Sequence, residues 1–276
     1  MKMHKLPAVI KLDFTWGGQG VSIVYHEEEA RRVVGSMRTR PPVSKTLLRA
    51  LLDRDPSFVP DYLRTPPRTV IVQEFISGFP ANRAVACWRG KVLAGISVLA
   101  LETQHSTGPA TVVQVIENEE MSAVAVRLVR RLGLSGLWGL DFVLEASSGA
   151  AYLIEMNPRA TPISHLALEG GSSLAAAIYA QLAGISARER SASRSQEIIA
   201  LFPGEMNRDP SSPYLRSEYE DIPWGEPEFV RECLRKPWSE RGVLAQMWSR
   251  IRRTAASDSD LSFVDTDLGT IAPSDG

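Results

Sequence analysis

Residues 137-LWGLDFVLEASSGAAYLIEMNPRAT-161 hold two apolar runs separated by a Ser-Ser-Gly turn signal, and the second run stops at Pro158. Alternate residues of a strand share a face. The second run therefore presents Glu155 and Asn157 on one side, with Arg159 following in the same phase. Ser147-Ser148-Gly149 suits a three-residue hairpin loop, with Gly149 in the left-handed position such loops require. Counting outward, Glu145 faces Ala151, Val143 faces Leu153 and Asp141 faces Glu155. The last pair would sit about 5 Å apart at Cα, with Asn157 one step further along. Leu140, Phe142 and Leu144 would oppose Tyr152, Ile154 and Met156 on the other face, which reads as core.

Directly opposed carboxylates repel, and a cation between them removes the penalty. Two carboxylates and an amide oxygen suit magnesium or manganese rather than zinc. Asp141, Glu155 and Asn157 are thus the candidate metal ligands. Solvated side chains on an exposed sheet face are the alternative, weakened by their convergence opposite a wholly apolar face.

The bulk properties are those of an ordinary water-soluble chain: 276 residues, 44% hydrophobic, 23% charged, net charge -1. That charge points to no nucleic-acid or membrane partner. Cys87 and Cys233 are too few for a disulfide framework or a cysteine zinc cluster. The opening MKMHKLPAVIKLDF lacks a signal-peptide core, because Lys11 interrupts its apolar run, and 92-VLAGISVLAL-101 is half a membrane span. A cytoplasmic protein is expected.

Strands are expected at 8–13, 21–25, 69–76, 83–88, 91–101, 111–116, 137–145, 150–157 and 197–202. Helices are expected near 27–34, 45–52, 119–133, 173–183 and 227–235. Gly78–Pro80 reads as a turn, Arg89-Gly90 as a two-residue hairpin loop, and the Pro-rich 56–67 as a linker. Strands with interspersed helices and mostly hairpin connections predict an α+β fold. The expected parts are 1–68, a glycine-hairpin lobe with linker; 69–205, the large lobe; 206–248, an appendage; and 249–276, a disordered Ser/Asp/Thr-rich tail.

The segment 11-KLDFTWGGQGV-21 offers Gly17, Gly18 and Gly20, whose backbone N–H groups can approach phosphate oxygens. It is neither a Walker A loop nor a dinucleotide fingerprint, since a strand follows it. A mobile hairpin over a nucleotide remains, with Lys11 within reach as a point charge.

Lys11, the glycine loop, 73-QEFISG-78 and 155-EMNPR-159, in that order, resemble the ATP-grasp superfamily, nearest its carbamoyl-phosphate-synthase and biotin-carboxylase branch, over roughly residues 8–184. The resemblance implies a fold of two lobes of antiparallel sheet with helices enclosing ATP. It implies that Lys11 contacts the phosphates and that Gly17, Gly18 and Gly20 cover them. Gln73, Glu74, Phe75 and Ile76 would form the adenine hinge, with Asp141, Glu155 and Asn157 holding Mg2+ or Mn2+. Arg159 would orient a carboxylate or its acyl phosphate, and His165 would line the acceptor pocket or serve structure alone. The implied activity is ATP-dependent ligation of a small-molecule carboxylate to an amine. A phosphotransferase, or a catalytically incomplete nucleotide-binding module, is the alternative. The amino-terminal domain usual in the family has no counterpart here, which leaves a homo-oligomer or a partner chain as its expected source.

Overall fold

In the computed structural model, residues 5–39 (except 14, 16, 17 and 19), a few positions between 43 and 51, and residues 69–168, 172–185, 197–216 and 221–235 are described. The expected helix at 45–52, the linker at 56–67 and the tail at 249–276 fall wholly or mostly outside them. Residues 1–40 and 67–234 form one compact unit, and 41–66 with 235–276 form a second. The first unit contains both sheets.

A three-stranded antiparallel sheet, ordered β2-β1-β3, is built from β1 (Ala8–Leu12), β2 (Val21–Val24) and β3 (Val70–Glu74). Ala8, Ile10 and Val24 are buried against Ala30, Val33, Val34 and Met37 of helix α1 (Glu27–Arg38). Because strand neighbours alternate, Lys11 leaves β1 on the face away from this small core.

The second sheet has six antiparallel strands among the described residues, ordered β8-β7-β4-β5-β6-β9. They are β4 (Gly78–Trp88), β5 (Lys91–Thr103), β6 (Ala110–Ile116), β7 (Gly136–Glu145), β8 (Ala151–Asn157) and β9 (Ile198–Ala200). Helix α2 (Glu119–Leu132) lays Met121, Ala125 and Val129 on one face, against Ala81, Val85, Leu140 and Phe142. Its ends explain its length: the Asn118 side chain accepts the Met121 N–H at 2.9 Å, and Gly133 closes it at φ +64°. The other face packs Ala84, Ala86, Ile96 and Val98 against Ile163, Leu166 and helix α3 (Leu174–Leu182). Arg89 and Gly90 both have positive φ, as a two-residue β4–β5 turn requires.

Three expectations need correction. The helix expected over 27–34 runs on to Arg38. Gly78–Pro80 is not a turn but the start of β4, opposite Val143–Glu145. A Cβ on Gly78 would come 2.0 Å from the Leu144 carbonyl oxygen, so glycine marks a close backbone approach there. Proline is tolerated because the β4–β5 pairing starts only at Ala81.

The third correction concerns the β7–β8 hairpin. Glu145 N–H bonds the Ala150 carbonyl at 2.9 Å, so the loop is one residue longer than expected. Leu144 faces Ala151, Val143 faces Tyr152 and Phe142 faces Leu153. A bulge at Ile154 then resets the phase, and Asp141 does face Glu155. Ala151 and Leu153 therefore join the core in place of Tyr152 and Ile154, and Tyr152 stays 42% exposed.

Beyond β9, helix α4 (Gly204–Arg208) spans the boundary expected at residue 206. Its Glu205 is fully buried, and Arg208 donates to both of its carboxylate oxygens at 2.7 Å. Helix α5 (Pro227–Cys233) follows. Among the described residues no helix is long and apolar enough to cross a membrane.

Two measurements check this packing. Gly78→Ala should lower stability in urea unfolding by about 3 kcal/mol, through the carbonyl clash. Gly149→Ala, at φ +73° with open space around it, should cost only about 1 kcal/mol. Burial, the largest influence, would raise the Glu205 pKa, but hydrogen bonding led by Arg208 and the Arg208 charge together outweigh it and hold it below the ordinary carboxylate range. A depressed folded-state pKa gives stability that is present above the unfolded value and lost as pH falls through the folded one. The Tm of Glu205→Gln should accordingly depend less on pH than wild type under acid conditions.

Candidate functional site

Asp141 lies at the centre of a row across three adjacent strands. It is directly opposite Glu155 on β8 and directly opposite Asn82 on β4. Opposed residues share a face, so the row carries two carboxylates and an amide side by side. Asn82 Nδ2 donates to Asp141 Oδ1, and Asn157 Nδ2 donates to Asp141 Oδ2 at 2.8 Å. The carboxylate is thus clamped between two amides, one from each flanking strand. Burial pushes the Asp141 pKa up, and the Glu155 charge pushes in the same direction. The hydrogen bonds from Asn82 and Asn157 and the charge of Lys11 oppose that shift without cancelling it. A partly buried carboxylate facing another, with both oxygens already accepting from amides, is a place that favours added positive charge.

Lys11 supplies part of that charge from the other sheet. Its Nζ donates to the carbonyl of Ile154 at 3.3 Å. Ile154 is the bulged residue, passed over in the β7–β8 register. The bulge therefore does two things: it turns Glu155 towards Asp141 and marks the carbonyl that receives the small sheet's lysine.

The glycine hairpin between β1 and β2 rests on the β5–β6 connection. Gly18, at φ +74°, would bring a Cβ within 2.0 Å of the Thr107 carbonyl oxygen. Thr107 Oγ1 donates to the Gly18 carbonyl at 3.3 Å. Gly20 also has positive φ, at +73°. Gly17 lies outside the described residues. Gln73 and Glu74 end β3, and Phe75 and Ile76 lie in the three-residue crossing to β4. The candidate hinge is thus the chain's passage from one sheet to the other, and the strand it enters carries Asn82.

After β8 the chain folds back over the sheet. A Cβ on Gly139 would meet Thr161 Cγ2 at 2.1 Å, so this return crosses β7 two residues from Asp141. Arg159 is exposed on the return, and its Nη1 donates to the Ala160 carbonyl at 3.1 Å. No described contact joins its guanidinium to the row. His165 Nε2 lies 2.5 Å from Asp221 Oδ1, and Asp221 Oδ2 accepts the Phe202 N–H at 2.9 Å. The hydrogen bond to Asp221 raises the His165 pKa.

Asn82, Thr107 and Asp221 stand out in no sequence motif as members of these contacts. Each meets its partner only through pairing or packing between segments tens of residues apart. Among the described residues no group of three or more His, Cys, Asp or Glu could hold a metal ion. The row has two carboxylates, so any cation there must draw on amide oxygens as well. Such a set of hard oxygen donors fits magnesium or manganese.

Residues 53–162 match the ATP-grasp domain family. The carbamoyl phosphate synthase large chain of Streptomyces griseus is 27% identical over 178 residues, which is 64% of this chain and 15% of that protein. That of Pseudarthrobacter chlorophenolicus is 27% identical over 163 residues, 58% of this chain and 13% of that protein. The chain thus spans only about a seventh of the length of the curated relatives it matches. Among solved structures, the biotin carboxylase domain of Hydrogenobacter thermophilus 2-oxoglutarate carboxylase, in complex with MgADP, ADP and bicarbonate, superposes with a TM-score of 0.47 at 16% identity, covering 70% of this chain and 41% of that one. N5-carboxyaminoimidazole synthetase from Staphylococcus aureus, complexed with ADP, gives 0.46 at 13%, covering 67% and 43%. The hinge and the Glu-x-Asn-x-Arg run both fall inside the matched stretch: residues 53–162 match an ATP-grasp domain, and the chain is similar over part of its length to carbamoyl phosphate synthase large chains.

Proposed function

We propose that this chain binds ATP with a divalent cation and activates a small-molecule carboxylate as an acyl phosphate for attack by an amine. One observation carries the reading: Asp141 and Glu155 are held face to face while Lys11 reaches the same place from the other sheet. Negative groups that want a cation, next to a lysine that wants an anion, match a metal-bound polyphosphate.

Asp141, Glu155 and Asn157 would hold the cation, which when bound neutralises charge on the phosphate oxygens. Lys11 would leave the Ile154 carbonyl for a phosphate oxygen, a stronger partner because it is charged. Gly17, Gly18 and Gly20 would cover the phosphates and exclude water. At the hinge that Gln73 opens, the Glu74 C=O and the Ile76 N–H would read the adenine edge, with Phe75 or Ile76 packed near its face. Arg159 would swing from the Ala160 carbonyl to the acceptor carboxylate, which suits its planar fork. The γ-phosphoryl group passes to a carboxylate oxygen as ADP leaves. The amine then adds to the acyl carbon, phosphate leaves, and the amine's proton passes to solvent. None of these roles needs a nucleophilic side chain; positioning and charge neutralisation supply the catalysis.

A second reading, a nucleotide-binding module acting within a larger assembly, is favoured by the short span of the relatives that this chain covers. Calorimetry with ATP and Mg2+ tests both readings at once, since each requires binding. Release of ADP and phosphate only when a carboxylate and an amine are both present selects the ligase. A stable phosphorylated product with one substrate would select a phosphotransferase.

Glu155→Gln should abolish metal-dependent turnover while leaving far-UV circular dichroism and Tm close to wild type, and unchanged turnover would remove the metal assignment. Lys11→Met should weaken ATP binding about tenfold, or ~1.4 kcal/mol, by calorimetry. The raised Asp141 pKa sets a direction for cation binding too. Affinity should fall with decreasing pH, beginning above the usual aspartate range, because protons then compete for the ligand.

A further inference from the structure

We propose that Asn82 belongs to the same cation site and contributes its amide oxygen as a ligand. The inference rests on the cation reading given above and extends it to a residue of β4.

Asn82, Asp141 and Glu155 form one row, set by two independent strand pairings. The amide orientation is fixed chemically. Nδ2 donates to Asp141 Oδ1, and rotating the amide by half a turn would set two acceptor oxygens against each other. Oδ1 therefore points away from that contact. It is buried, and it accepts no hydrogen bond. Buried amide oxygens are almost always paired, so one left over marks a missing partner.

The neighbouring donors are committed elsewhere or turned away: Arg83 Nε is itself unpaired, but on the opposite face of the sheet. Arg83 follows Asn82 in sequence, but strand alternation sends its side chain to the α2 face, where Nη1 donates to Ser97 Oγ at 2.7 Å. Lys11 donates to the Ile154 carbonyl, and Asn157 Nδ2 to Asp141. What the row does call for is a hard cation, and such ions take six or more oxygen ligands, amide oxygens among them. Two carboxylates and Asn157 leave room for another. A neutral amide suits the place better than a third acid, which would add repulsion on either side of Asp141.

Mn2+ serves as the probe. The full chain is titrated with Mn2+ in the presence of ADP, free Mn2+ is followed by electron paramagnetic resonance, and waters on the bound ion are counted by proton relaxation. Asn82→Ala should raise the Mn2+ Kd about tenfold and add one water to the bound ion, a change that mere slackening of Asp141 would not produce. Asn82→Asp, which keeps an oxygen in place, should retain Mn2+ binding without the extra water. It should also gain more Tm from Mn2+ than wild type, since the ion relieves its added charge. This variant carries the test if Asn82→Ala does not fold.

If Asn82→Ala binds Mn2+ with wild-type affinity and hydration while Glu155→Gln does not bind it, the cation reading stands and the role of Asn82 is refuted. That role is refuted equally if Asn82→Ala weakens ADP alone, because the orphan oxygen then accepts from the nucleotide. If Glu155→Gln binds Mn2+ as wild type does, the cation reading has failed and this inference fails with it.

Discussion

Two carboxylates held opposite each other on neighbouring strands define this molecule. Asp141 and Glu155 would repel in any ordinary sheet, yet the chain places them together and then surrounds Asp141 with amides from both sides. The arrangement is costly without positive charge, and the fold delivers one such charge from a separate sheet, through Lys11. The crossing at Phe75–Ser77 leads into the strand that carries Asn82, and the return after β8 crosses β7 two residues from Asp141.

The β-bulge at Ile154 is the mechanical detail that makes the row work. The long hairpin loop sets the turn-proximal pairs in one phase, with Ala151 and Leu153 in the core. Continued unchanged, that phase would send Glu155 into the core as well. One extra residue reverses it, keeping Met156 against the α2 layer and turning Glu155 to the row. It also frees a carbonyl from the regular ladder for Lys11. Bulges bend strands and re-aim side chains beside functional sites, and this one serves both sheets.

The carboxy-terminal stretch is joined to the same body by buried charge. Arg208, paired with the buried Glu205 within α4, also lies 3.4 Å from Glu102 of β5, and Asp221 ties the return segment at His165 to the backbone at Phe202. Removing Arg208 or His165 would leave the buried carboxylate of Glu205 or Asp221 without its charged partner. The residues after β9 are therefore part of how the site's surroundings are held, not merely a continuation beyond it.

Much of this is legible in the sequence, for local reasons. Alternation marks the strands; the acidic Glu119-Glu120 start and Gly133 mark α2, and Ser172 or Ser173 marks α3; Arg89-Gly90 marks a tight turn. The opposition of Asp141 and Glu155 is legible too, though only because two departures cancel: the real loop is one residue longer than Ser-Ser-Gly implies, and the bulge at Ile154 restores the register. Local signals of this kind depend on residues within a few positions of one another, and a sequence displays them directly. Tertiary structure alone decided that Asn82 lies beside Asp141, that Thr107 receives Gly18, and that Asp221 holds His165. Those partners are separated by 59, 89 and 56 positions. Strand order and packing set such meetings, and side-chain type at either end does not reveal them.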